Sequence, residues 1–216
     1  WMSPELLIMP RSSLLARLRP AAIALLLAFV AAPLAAQAAY PKPASIPYRW
    51  ELEFAPGELR LYESPVDGSS WWFFSYEVTN RTGRDQVWAP RFVLYTDTGE
   101  ILGSGENVPA RVANDIKQLM GNDLIEMQNE AIGDIHQGRE HAKDGLVIWP
   151  AENLAANEMS LFISGISGET ARVQNPITGE STILRKTLHR QFLVRGNAAG
   201  RGTDPVEVVA DEWVMR

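Results

Sequence analysis

"SWWFFSYEVTNRTG", residues 70–83, is the stretch that decides how this chain folds. A two-residue period puts Trp72, Phe74, Tyr76 and Val78 on one face and Trp71 and Phe73 on the other. The stretch reads as a strand that is apolar on both faces at its start and one-sided later. That pattern suits the centre of a sandwich sheet. Asn80-Arg81-Thr82 fits the N-glycosylation pattern. Asn tolerates unusual backbone angles, however, and Gly83 follows, so the triplet is read as the turn that ends the strand.

Working outward, "RWELEF" (49–54) alternates, and "ELRLY" (58–62) follows Pro56-Gly57. After the turn come "QVWAP" (86–90) and "RFVLYTD" (91–97), then a tight "DTG" hairpin into "EILGSG" (100–105). Further on, "GLVIWP" (145–150), "MSLFIS" (159–164), "ETARVQ" (169–174), "STILRKTLHRQFLV" (181–194) and "VEVVADEWVM" (206–215) all read as strands. Short Gly/Pro/Asn/Asp turns between such runs predict a mainly β fold, an antiparallel immunoglobulin-like β-sandwich. The run is interrupted at about 108–138 by a pattern that predicts two helices. Val112, Ile116, Leu119 and Met120 mark the first, stopped by Gly121. Asp123 with Glu126 forms a capping-box pattern for the second, and Leu124, Met127, Ala131 and Ile135 give its apolar stripe up to Gly138.

Read from Met9, the amino-terminal region has a basic leader with Arg11, Arg17 and Arg19, an apolar run from Ala21 to Ala32, and Ala36-Gln37-Ala38 as a small-residue cleavage site. Residues 1–38 are thus expected to be a secretory signal peptide, and the product to be exported, periplasmic or extracellular. The apolar run is short for a membrane span, so no stable span is expected in the mature form. Pro41, Pro43 and Pro47 make residues 39–48 a short linker, and 49–216 a single domain with its helical insertion. Without Glu5 and the three leader arginines the chain carries 17 basic against 25 acidic residues, a net charge of −8. That acidity argues against nucleic acid as a partner. The absence of cysteine excludes thiol catalysis and thiolate metal ligands.

Three groups of residues could carry chemistry. His136, Glu140 and His141 in "IHQGREH" combine two imidazoles with a carboxylate, a metal-ligating set. Their spacing matches neither zincins nor inverzincins, so a solvated exit from the second helix competes with that reading. Glu126, Glu130 and Asp134 recur every fourth residue, and such a stripe could hold a cation or present acids to a cleft if it faced one. Trp71, Trp72 and Trp88 could stack against a glycan if exposed, or fill the core. Asp97-Thr98-Gly99 resembles the active-site triplet of aspartic proteases. Glu100 stands where that family has Ala or Ser, and a hairpin turn accounts for the triplet. No cofactor motif is present.

Taken together, "YEVTNRTGRD", "WAPRFVLYTDTGE", "GLVIWP" and "LFISGISGE" resemble exported bacterial immunoglobulin-like β-sandwich proteins. The resemblance implies a sandwich fold and an envelope location, and it brings no catalytic residues. The expected role is a non-catalytic interaction or structural module of the cell envelope, with a protein or glycan partner. The competing expectation is a metal-dependent or glycan-binding periplasmic protein.

Overall fold

A computed structural model describes residues 40–216, apart from Glu106 and Pro176. The expected signal peptide, residues 1–38, lies outside the described residues. Contacts divide the chain into Trp1–Tyr40 and Pro41–Arg216, and the sandwich lies wholly in the second unit.

The aromatic stretch is strand β2 (Ser70–Asn80), which pairs antiparallel with β1 (Glu53–Glu63), Leu61 opposite Trp72 and Leu59 opposite Phe74. A bulge between Pro56 and Leu59 brings Gly57 against β2, where a Cβ would meet the Ser75 side chain at 2.3 Å. On its other edge β2 pairs with β8 (Gly138–Pro150), which also pairs in parallel with the short β6 (Glu126–Met127). The order β1-β2-β8-β6 makes the first sheet, with β2 an inner strand as its two apolar faces require. Gly145 stands opposite Tyr76, and a Cβ there would lie 2.0 Å from the phenol ring.

The second sheet runs β10-β11-β9-β4-β5, with β12 also on β11. Its strands are β4 (Arg91–Thr96), β5 (Ile101–Gly103), β9 (Glu158–Ser164), β10 (Thr170–Gln174), β11 (Ser181–Leu193) and β12 (Glu207–Met215). Between the sheets lie Trp72, Phe74, Tyr76 and Val78 of β2, Val147 and Trp149 of β8, Phe92 and Leu94 of β4, Leu161 and Ile163 of β9, and Phe192 of β11, all buried. The mainly β sandwich is therefore the observed fold. A two-stranded ribbon, β3 (Gln86–Trp88) with β7 (Gly133–Ile135), closes one side.

The helical insertion is only half as expected. Helix α1 (Ala110–Met120) forms where the pattern placed it and stops at Gly121, whose φ of 62° is the left-handed cap. Its Val112 and Ile116 pack, with Ile125, on Trp71, Phe73, Leu146 and Ile148, the outer face of the first sheet. The second helix shrinks to one turn, α2 (Gln128–Ala131). Residues on either side of it instead complete ladders offered by β8 and β3, and Gly133 takes a φ of 142° that no helix contains. Tertiary pairing outweighs a weak local propensity here. Leu124, counted in the expected apolar stripe, is 81% exposed.

The proline-rich stretch expected as a linker runs against the domain. Ala44 N–H donates to Glu169 Oε1 (2.9 Å), and Lys186 Nζ donates to Ala44 O (3.1 Å). Lys186 is buried and its ammonium lies 2.9 Å from Glu51 and 3.7 Å from Glu169. The pairing is what makes a buried cation tolerable.

Candidate functional site

The tryptophans considered as stacking platforms are interior. Trp72 and Trp88 belong to the main core and Trp71 to the core under α1. Trp71 Nε1 donates to Ser69 Oγ at 2.9 Å. With their rings packed on neighbours, none presents a face to a glycan.

Glu126, Glu130 and Asp134 do not form one helical stripe, because they fall on β6, α2 and β7 in turn. Glu130 accepts from Met127 N–H (2.8 Å) and from Lys117 Nζ (3.1 Å), and these bonds hold its carboxyl below the usual value. Glu126 lies 3.7 Å from Lys143, and Asp134 pairs across the ribbon with Val87.

His136 and His141 do approach, with ring centroids 5.5 Å apart, but not on a helix: His136 follows β7 and His141 lies in β8. His136 Nδ1 is 2.9 Å from Asp85 Oδ2, and that bond draws the Asp85 carboxyl below its ordinary value. Glu140 lies exposed in β8. Among the described residues no three His, Asp or Glu side chains gather in a way that would hold a metal ion.

The two turn readings stand. Asn80 is fully buried, donating from Nδ2 to Arg84 O and Ile135 O and accepting from Thr82 at Oδ1, so it ties the turn to β7. Asp97 sits at the β4–β5 turn and accepts from Asn157 N–H (3.1 Å).

The arrangement that stands out lies elsewhere, on the outer face of the second sheet. Strict alternation builds it: Phe92, Leu94 and Thr96 of β4 point inward, leaving Arg91, Val93 and Tyr95 outward. Register then fixes the neighbours. Arg91 stands opposite Ser164, Val93 opposite Phe162 and Tyr95 opposite Ser160; on the far side of β9, Thr187 faces Ser164 and His189 faces Phe162. The His189 and Phe162 rings stack in parallel at 4.4 Å, and Tyr95 meets Phe162 edge-on at 5.4 Å. His189 is fixed further by Ser160 Oγ on Nε2 (3.1 Å) and by Glu212. Arg216, just past β12, crosses β11 to lie over Phe162 (3.9 Å) and Tyr95 (4.6 Å), and donates to the Tyr95 hydroxyl.

Beside this stack is a hollow of about 330 Å³, with Arg91, Arg185 and Arg216 around it, Ser164 and Thr187 at its base, and Ile101 and Ile183 on its rim. Among the described residues none of these three arginines has an acidic partner within ion-pair distance; Arg60, Arg81, Arg111, Arg190 and Arg195 each have one, while Arg49, Arg84, Arg139, Arg172 and Arg201 also lack one, so what marks the three is that they share one hollow. A second hollow, about 480 Å³, opens between α1, α2 and β8. It is larger, but the charged groups on its wall, Lys117 and Glu130, neutralise each other. Of these two hollows, the one on the sheet face is the candidate site with unpaired charge.

Sequence reading missed these residues, although part of the signal was present. "RFVLYT" and "SLFIS" place an aromatic residue on the polar side of each strand, which a sheet face open only to water does not need. Comparison with protein-family models, curated proteins and solved structures finds no match for the chain.

Proposed function

We propose that the protein is a non-catalytic, exported interaction module of the cell envelope, and that the outer face of the second sheet is the surface that meets its partner. The leader pattern of residues 9–38 motivates export. The observation that carries the assignment of the face is the contrast between the two outer surfaces. The first sheet spends its outer face on α1, which buries Trp71 and Phe73. The second keeps Tyr95, Phe162 and Arg216 in a preorganised stack with nothing over it among the described residues. Fixed aromatic and Arg side chains on an uncovered face are the composition in which interface anchors are enriched.

The reading is tested by cosedimentation of the purified protein with fractionated cell envelopes. Tyr95→Ala combined with Arg185→Glu should abolish association, while Asn114→Asp, on the wall of the α1 hollow, should leave it intact. Association that survives the first pair of changes and is lost with the second would sink the proposal.

A further inference from the structure

Resting on the assignment of that face as the interaction surface, we propose that the hollow beside the stack is a binding site for a small ligand bearing an oxyanion, a carboxylate, sulfate or phosphate, on a partly apolar body. Arg91 and Arg185 are exposed, lie on one face of neighbouring strands either side of β9, and make no side-chain hydrogen bond or ion pair among the described residues. Each guanidinium carries five N–H donors in a planar fork that matches a carboxylate or phosphate two oxygens at a time. Arg216 contributes a third positive charge, and its position is fixed by two rings rather than by an acid. Arg172 of β10 stands opposite Ile183 and so lies on the same face.

Three uncompensated cations around one hollow are out of keeping with a chain of net charge −6. At the surface their mutual repulsion is screened and mild, and an anion shared between the guanidiniums would gain charge-assisted bonds from each. Glu169, next to Arg185's partner Thr170, is taken up by the buried Lys186, and Glu212, opposite His189 on β12, is engaged by His189. The size argues for a small ligand, since about 330 Å³ sits at the low end of ligand sites. Ile101 and Ile183, 64% and 57% exposed, wall the hollow with apolar surface that an inorganic ion would leave wet. A ligand with an anionic head and an apolar body uses both features.

Isothermal titration of the full purified chain with inorganic phosphate, phenyl phosphate and benzoate tests the assignment. Saturable binding is expected, with phenyl phosphate tighter than phosphate. Losing one charge-assisted fork costs roughly tenfold in affinity, so Arg91→Ala with Arg185→Ala should remove detectable binding. Both residues are exposed, so the double variant should keep its melting temperature, and Arg139→Ala, an exposed arginine on β8, should bind as the parent does. No saturable binding of any of the three anions, or binding unchanged in the double variant, overturns the proposal. If that happens while envelope association still depends on Tyr95, the interaction face stands without its anion site. Arginine-dependent anion binding together with association indifferent to Tyr95 keeps the anion site and removes the interaction face.

Discussion

The two outer faces of the sandwich are built from similar strands and end differently. On the first sheet, β2 and β8 are apolar at consecutive positions: Trp71 to Phe74 and Leu146 to Trp149 are all buried. On the second, β4 and β9 alternate, so only every other residue is buried. A strand with apolar side chains on both faces must find a second cover, and here α1 supplies it. An alternating strand can leave its outer face in water and use it. The covered face is stability; the open one is available for recognition.

The largest effect expected from this contrast is the difference between two phenylalanines. Phe73 is completely buried between β2 and α1, and Phe73→Ala should cost about 3–5 kcal/mol of stability. Phe162 is only partly buried and loses mainly its contacts with His189 and Arg216, so Phe162→Ala should cost about 1–2 kcal/mol. Chemical denaturation of both variants compares them directly, and equal costs would break the distinction between the faces. Next comes the cover itself. Ile116→Ala removes a fully buried contact of α1 and should cost about 2–4 kcal/mol. Hydrogen exchange should quicken in α1 before it quickens in β9.

How much of this was legible follows from the same contrast. The two-faced character of β2 is plain in "WWFF", and that of β8 in "GLVIWP", because burial on both sides leaves no polar position to break the run. What covers them is not plain: a period of 3.6 gives α1 its apolar stripe without saying which surface the stripe meets. The second helix misleads because Leu124, Met127, Ala131 and Ile135 match helical spacing, while the edges of β8, which follows the segment, and of β3, which lies well before it, claim it for pairing. The open-face site is legible strand by strand, in the outward Arg91, Tyr95 and Phe162. Its completion is not, since Arg216 reaches Tyr95 from 121 residues away and only strand order brings them together.

A smaller effect probes the stack. Arg216→Ala should cost about 0.5–1 kcal/mol, the size of a cation–π contact at an exposed site. The more telling readout is geometric. With the guanidinium gone, Tyr95 and Phe162 lose the group that spans them, and their ring resonances should begin to average. Rings that stay fixed would mean that register alone orders the face.

The smallest effect is the pH dependence of the contact that holds α1 to the rest of the insertion. Glu130 links the two ends of the insertion, accepting from Met127 N–H in α2's own turn and from Lys117 of α1. Those bonds favour the ionised carboxyl and lower its pKa from the ordinary 4.5. A lowered folded value means that the contribution is fully present above about pH 4.5 and fades as the pH falls through the lower folded value. Because the pair is largely exposed, solvent screens it and the gain is small. The open face carries no such dependence in its central contact, since the guanidinium of Arg216 stays charged throughout this range. Titration followed by the Met127 amide proton should show a transition below pH 4.5 that Glu130→Gln abolishes. A Met127 transition that persists in Glu130→Gln would show that acid loosens the region as a whole, and would remove Glu130 as the local latch of α1.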